Sequence, residues 1–272
     1  MKRYIRTIVS VGIFALLPNL GVALSIDGEW VQGGFIRGNT SAGHHIQFLN
    51  RQVQVSPSGD FVVGLGRDAP EAVSVYERTA DGQIHQHRFT VKQRQYNEQR
   101  IEGVPKKTVN IPDTALKRIR EESHLVKMAR KHNSSRQDFL DTFQWPLKGP
   151  ITGVYGSRRV YNGVPGRSHY GLDIAGPTGS IVKAPIAGVI TLVHDNMYFS
   201  GGTIIMDHGH GVSSTFIHLH KTLVKQGDVV KQGDAIGEVG ATGRATGPHL
   251  DWRMNWFDQR LDPALIMQNI PQ

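Results

Sequence analysis

The sequence predicts a mainly β protein with a small N-terminal β domain, one connecting helix and a C-terminal domain built on an antiparallel sheet. Three patterns predict this class. Apolar residues alternate between positions 46 and 91, helical spacing occurs between 113 and 131, and Val/Ile/Thr-rich runs alternate with glycine turns between 188 and 239. The expected divisions are a leader over 1–25, a β domain over 26–103, a helix and linker over 104–142, and the sheet domain over 143–272.

The first residues have the pattern of a secretory signal. Lys2, Arg3 and Arg6 precede an apolar run from Ile8 to Leu24, as in the charged and apolar regions of a signal peptide. We therefore expect an exported protein of the periplasm or cell envelope. If the segment stays uncleaved, it would tether the chain to a membrane.

The composition limits the kinds of covalent link, metal site and partner that the chain can have. The chain has 272 residues, no cysteine and a formal charge of +8, so disulfides are excluded and any metal site must use nitrogen and oxygen ligands. The basic excess favours anionic partners such as cell-wall carboxylates or lipid phosphates. No dense basic run with interleaved aromatic residues marks a nucleic-acid surface.

The N-terminal elements follow from apolar alternation and turn residues. Strands are expected around Ile46–Phe48, Val53–Val55, Phe61–Leu65, Val73–Val75 and Phe89–Val91, with a hairpin turn at Asp81-Gly82. The histidines of this region, at 44, 45, 85 and 87, have no third ligand group nearby in the sequence, which favours ordinary strand-face residues.

A helix is expected after Pro112. Asp113 is the candidate N-cap, and the apolar positions from Leu116 to Ala129 fall at helical offsets, so the helix should end near Lys131. The polar stretch from His132 to Thr142 fits a linker.

Candidate chemistry is concentrated between residues 169 and 251. His169-Tyr-Gly-Leu-Asp173 opens this stretch, and Gly-Pro-His249-Leu-Asp251 closes it. Four residues of ideal strand span about 13 Å, so His169 and Asp173 can share an ion only if the chain bends, and glycine at the midpoint permits a bend. His249 and Asp251 would point to the same face of a strand. Imidazoles and carboxylates at the ends of neighbouring strands favour a zinc site.

These motifs, together with His218-Leu219 and the stretch from Thr242 to Leu250, resemble the LytM or lysostaphin-type peptidases of family M23. The resemblance covers about Gly149 to Asp262. It implies an antiparallel β-sheet or barrel-sandwich peptidase domain whose groove holds zinc and receives a peptide of peptidoglycan. It further implies His169 and Asp173 as metal ligands, and His218 and His249 as catalytic residues.

One position departs from the family pattern. The family's third ligand is the second histidine of a His-x-His pair, and Asp251 occupies that place here. Aspartate is a legitimate zinc ligand, but two carboxylates would cancel the charge of the dication and weaken it as a Lewis acid. His220 is an alternative third ligand, since residues 218–220 are themselves a His-x-His. Candidate groove residues are Tyr155, Arg159 and Arg244, whereas loop positions are expected for His194, His208 and His210.

The sequence is compatible with three functions. The leading one is an exported zinc metalloendopeptidase that hydrolyses peptide cross-links of peptidoglycan. The second is a catalytically inactive relative that binds cell wall or activates a separate amidase, in view of Asp251. The third, a lipoyl or biotinyl carrier, rests on the repeated Val-Lys-Gln-Gly-Asp of residues 224–228 and 230–234, but such a carrier has no use for the histidine motifs.

Overall fold

The computed structural model describes residues 24–101, 112–161 and 163–267. The predicted leader lies almost wholly outside these residues. Within them, the protein is mainly β, as predicted, and its strands pair predominantly in antiparallel fashion. None of the helices in this part of the chain is long and apolar enough to cross a membrane.

The described part of the N-terminal region contains eight strands, which contribute to three sheets. They are β1 (Ser25–Asp27), β2 (Phe35–Asn39), β3 (His45–Phe48), β4 (Arg51–Val53), β5 (Asp60–Gly64), β6 (Ala72–Arg78), β7 (Ile84–Thr90) and β8 (Glu98–Ile101). The expected hairpin is present, because β6 and β7 pair in register on either side of Gly82, which has a positive φ of 89°. The sheet orders are β1-β2-β5 and β4-β3-β6-β7, and β8 joins a C-terminal hairpin.

Helix α1 spans Asp113–Ala129, close to the predicted bounds. The predicted cap is wrong by one position. Pro112 is the N-cap, with extended backbone and no side-chain hydrogen bond, and Asp113 is the first helical residue. Its carboxylate still favours the helix start, through the macrodipole. A single 3₁₀ turn follows at Asp138–Leu140.

Over residues 143–161 and 163–267, the C-terminal region contains twelve strands and a short helix. They are β9 (Ile151–Gly153), β10 (Arg158–Tyr161), β11 (Val164–Pro165), β12 (Leu172–Ala175), β13 (Ile181–Lys183), β14 (Gly188–Met197), β15 (Gly201–Gly209), β16 (Val212–Thr222), β17 (Val229–Val230), β18 (Ala235–Val239), β19 (His249–Trp256), β20 (Gln259–Leu261) and α2 (Pro263–Ile266). Ten of the strands form one sheet, whose main order is β17-β14-β15-β16-β19-β12-β9. Among the described residues this sheet does not close into a barrel, and it has the antiparallel-sheet form of the predicted fold.

Strand β19 positions the site because its two faces have different roles. Leu250, Trp252, Met254 and Trp256 alternate into the main core, all at most 1% exposed. That core is continuous with the N-terminal region, where Phe48 lies 5.9 Å from Trp256 between ring centroids. The opposite face therefore carries the remaining residues of the strand, His249, Asp251, Arg253 and Asn255.

Candidate metal and catalytic site

The structure brings His169, Asp173 and Asp251 together. One ligand atom from each lies within 4.8 Å of the others. Asp173 on β12 is directly opposite Asp251 on β19, and the backbone bends at Gly171, which brings His169 Nε2 to 3.2 Å from Asp173 Oδ1. The predicted bend is therefore present, and it places the first histidine over the strand pair.

His169 Nε2 and Asp173 Oδ1 are both buried and face each other across 3.2 Å, and neither makes a hydrogen bond of good geometry. Buried polar atoms are nearly always satisfied in proteins. Two glycines leave room for the carboxylates: a Cβ at Gly171 would lie 1.9 Å from Asp251 Oδ1, and one at Gly153 would lie 2.2 Å from Asp173 Oδ2. The site is thus shaped around three groups whose free lone pairs suit a cation.

Arg253 is a site residue that the sequence reasoning missed. Its Nε donates to both oxygens of Asp251, at 2.9 and 3.1 Å, and its Nη2 forms a further short ion pair with Oδ2. The signal was available, because residues two apart on a strand share a face. Its cation offsets one of the two carboxylates, so the set of His169, Asp173, Asp251 and Arg253 carries the same net charge as two neutral histidines and one carboxylate.

The electrostatic environment of the three ligand groups favours a positive charge. Burial disfavours the charged form of Asp251, but the charge and hydrogen bonds of Arg253 outweigh it and hold the pKa of Asp251 below its ordinary value. Burial also opposes protonation of His169, yet its contacts with Asp173 and Asp251 raise its pKa. A proton or a metal ion is therefore attracted to the same place.

His218 and His249 lie side by side next to the three ligand groups. Their ring centroids are 4.8 Å apart. Each Nδ1 lies 2.8 Å from a backbone carbonyl oxygen, that of Thr242 for His218 and that of Gly247 for His249. Carbonyl oxygens only accept, so both Nδ1 atoms carry the proton and both Nε2 atoms are available.

The backbone of His218 is strained in a way that often accompanies function. Its φ is 65°, in the left-handed region that disfavours residues other than glycine. Its backbone N–H donates to Ser200 O at 2.8 Å, which helps to fix this conformation. Burial lowers the pKa of His218, so at neutral pH its imidazole is neutral and able to accept a proton.

The predicted groove residues are placed differently from one another. Tyr155 is only 2% exposed and its hydroxyl donates to Arg260 O at 2.7 Å, so this group is part of the core rather than a groove wall. Arg159 belongs to β10. Arg244 is exposed and lies over the ring of Phe199 at 5.5 Å.

Several histidines differ from expectation. His220 is exposed and outside the ligand cluster. His194 and His208 are strand residues rather than loop residues, since they belong to β14 and β15. His208 is fully buried, with Nδ1 donating to Ala187 O and Nε2 2.8 Å from Ser214 Oγ.

The N-terminal histidines do have a third group, contrary to expectation. The buried carboxylate of Glu77 lies 2.9 Å from His44 Nδ1 and 3.1 Å from His87 Nε2, and it accepts a hydrogen bond from Thr40. Burial opposes the charge of Glu77, but these hydrogen bonds lower its pKa. The pairing joins β6 to β7 and to the loop before β3, which sequence spacing could not indicate.

Comparison with known proteins identifies the family. Residues 167–263 match the sequence model of Peptidase family M23. A crystal structure from Pseudomonas aeruginosa assigned to peptidase M23 superimposes with a TM-score of 0.68 and 31% identity, over 88% of this chain and 95% of the other. The fold and these matches define a peptidase-type domain, and the chain belongs to peptidase family M23.

Two curated relatives match part of this chain. The peptidoglycan DD-endopeptidase ShyA of Vibrio cholerae is 38% identical over 86 residues, 32% of this chain and 20% of ShyA. The DD-carboxypeptidase/endopeptidase Mpg of Neisseria meningitidis serogroup B is 36% identical over 106 residues, 39% of this chain and 24% of Mpg. The match thus spans a fifth to a quarter of these relatives' length.

Proposed function

We propose that this chain is an exported zinc metalloendopeptidase that hydrolyses peptide cross-links of bacterial peptidoglycan. The observation that carries the proposal is the convergence of His169, Asp173 and Asp251, whose ligand atoms lie within 4.8 Å of one another and include two buried atoms that make no hydrogen bond, in a chain of family M23. Two further observations support it: ShyA and Mpg are described as endopeptidases, ShyA of peptidoglycan, and the first 25 residues have the pattern of a signal peptide.

The residues present fit zinc. One imidazole nitrogen and two carboxylate oxygens are all ordinary zinc donors, and three protein ligands are the usual number at a catalytic zinc. A second carboxylate would weaken zinc as a Lewis acid, but Arg253 offsets its charge, so the net charge equals that of the usual set of two histidines and one carboxylate. His169, Asp173 and Asp251 would hold the ion.

Zinc bound there would supply a Lewis acid that acidifies water and polarises the scissile carbonyl. His218 takes a proton from water through its free Nε2, because it is neutral at neutral pH and its Nδ1 is held by Thr242 O. The proton is then returned to the leaving amine. His249, whose Nε2 lies 3.8 Å from Asp173 Oδ1, is the second catalytic imidazole and lies where it can stabilise the developing oxyanion.

The surroundings of the site complete the proposal. Arg244 and Arg159 remain candidate contacts for the substrate, whereas the Tyr155 hydroxyl is already occupied.

The expected divisions at 25, 103 and 142 stay proposals, with residues 143–272 as the peptidase region. The periplasm or cell envelope is the proposed location.

The test is a digest of purified peptidoglycan with zinc or with a chelator, with products identified by mass spectrometry. Peptides released by amide cleavage should appear with zinc and disappear with the chelator or in Asp251→Ala. Arg120→Gln, on the exposed side of α1, is the matched control and should cleave normally. If the protein binds intact sacculi without cutting them and Asp251→His restores cutting, the chain is a cell-wall binder or an amidase activator instead.

A further inference from the structure

A cavity of about 900 Å³ lies between helix α1 and the open face of the main sheet. Its walls include the C-terminal half of α1 and strands β14, β15, β16 and β19. Arg253, which binds Asp251, lines it, and so does Ile217, which pairs with Asp251 across β16 and β19. The cavity therefore adjoins the candidate metal site and is large enough for a peptide segment.

The cavity walls have an excess of cations. The acidic residues there are already paired, Glu122 with Arg118 and Asp258 with Arg51. Arg130 and Arg260 also line the cavity, and within the described ranges neither forms an ion pair. Arg260 Nη1 donates to Asn255 Oδ1 at 3.1 Å.

Arg130 is the most exceptional of these cations. Its Nη2 donates to Thr215 Oγ1 at 3.1 Å, but its Nε is buried without a partner. Burial, together with repulsion from Arg260 and Arg253, lowers its pKa well below the ordinary value. The C-terminus of α1 just before it contributes only about half a negative charge. Arg130 as a whole is half-buried, and a guanidinium with a buried, unpartnered Nε is expected to have an anionic partner.

We propose that Arg130 and Arg260 bind a carboxylate of the peptide whose amide bond lies at the metal site. This proposal rests on the proposed function, which supplies the peptide. A planar guanidinium fork matches a carboxylate in two parallel hydrogen bonds, which gives orientation as well as affinity. The peptide would thus lie along the face of β16 and β19, with its carboxylate under the end of α1 and its scissile bond near Asp251.

The test compares a cross-linked muropeptide that has free carboxylates with the same compound after amidation. Titration calorimetry on zinc-free protein measures binding without cleavage, and steady-state cleavage on zinc-loaded protein separates KM from kcat. The wild type should bind the free-carboxylate compound about tenfold more tightly, as expected for charge-assisted hydrogen bonds. Arg130→Gln and Arg260→Gln should each lose most of that preference through KM, and Arg120→Gln should keep it.

Two results would overturn the carboxylate site: equal binding of both compounds by the wild type, or an unchanged preference in both Arg130→Gln and Arg260→Gln. Using two variants protects the test against one that fails to fold, which circular dichroism would reveal. Failure of the proposed function is a separate outcome. In that case no zinc-loaded protein cleaves either compound, while calorimetry still reports the preference for free carboxylates.

Discussion

Replacing Arg253 by glutamine should destabilise the zinc-free protein by about 3 kcal/mol. Asp251 is 2% exposed and Arg253 is its side-chain hydrogen-bond partner. Removing one partner of a buried ion pair costs roughly 3–5 kcal/mol, because the other charge is left uncompensated. The lower end applies here, since the Arg253 side chain is 26% exposed and His169 can supply part of the lost positive charge.

The assay is urea unfolding in the presence of a chelator at neutral pH, followed by the fluorescence of the buried Trp252 and Trp256. Asp251→Asn combined with Arg253→Gln should be more stable than Arg253→Gln alone, because no buried charge remains unpaired. Arg120→Gln should stay within about 0.5 kcal/mol of the wild type. The reasoning is refuted if Arg253→Gln also stays within that range, or if the double variant is the less stable of the two.

Two further predictions concern the candidate site, and a third concerns Glu77 in the N-terminal region. Gly171→Ala should lower zinc affinity at least tenfold, because the new Cβ would displace Asp251; competition with a chromogenic chelator measures this, and Gly247→Ala, where a Cβ meets open space, should bind normally. His218→Ala should lower kcat about 10²- to 10⁴-fold yet retain zinc by metal analysis, and loss of both would assign it a ligand role instead. Glu77, whose folded pKa is lowered, stabilises the fold fully above its unfolded pKa of about 4.3 and loses that contribution as pH falls through the lower folded value. The difference in unfolding free energy between wild type and Glu77→Gln should therefore become smaller below a pH of about 4.3. A difference that becomes larger would show that the pKa of Glu77 is raised on folding.

Much of the fold could be predicted because local patterns determine it. Strands β14, β15, β16 and β18 lie within residues 188–239, where runs bounded by glycines predict strands, and α1 ends two residues from the expected position. Period-two spacing also placed His249 and Asp251 on one face. These features depend on neighbours along the chain, which a sequence displays directly.

The remaining features depend on contacts between distant segments. Tyr155 belongs to the core because Arg260, 105 residues later, presents a carbonyl to its hydroxyl. His208 is buried because β15 is an interior strand of the sheet, between β14 and β16. Arg130 becomes part of the cavity only when α1 packs on the sheet. The Asp251–Arg253 ion pair is the exception. Its two-residue spacing could be read from the sequence, and the pair could have been predicted once Asp251 was expected to be buried.

X-ray absorption at the zinc edge of the purified protein tests the central claim most directly. The account predicts one zinc ion with a single imidazole nitrogen and at least two oxygen donors from the protein at about 2.0–2.2 Å, and loss of that signal in Asp251→Ala but not in Arg120→Gln. Two imidazole donors, or zinc binding that survives in Asp251→Ala, would contradict the assignment of Asp251 as the third ligand.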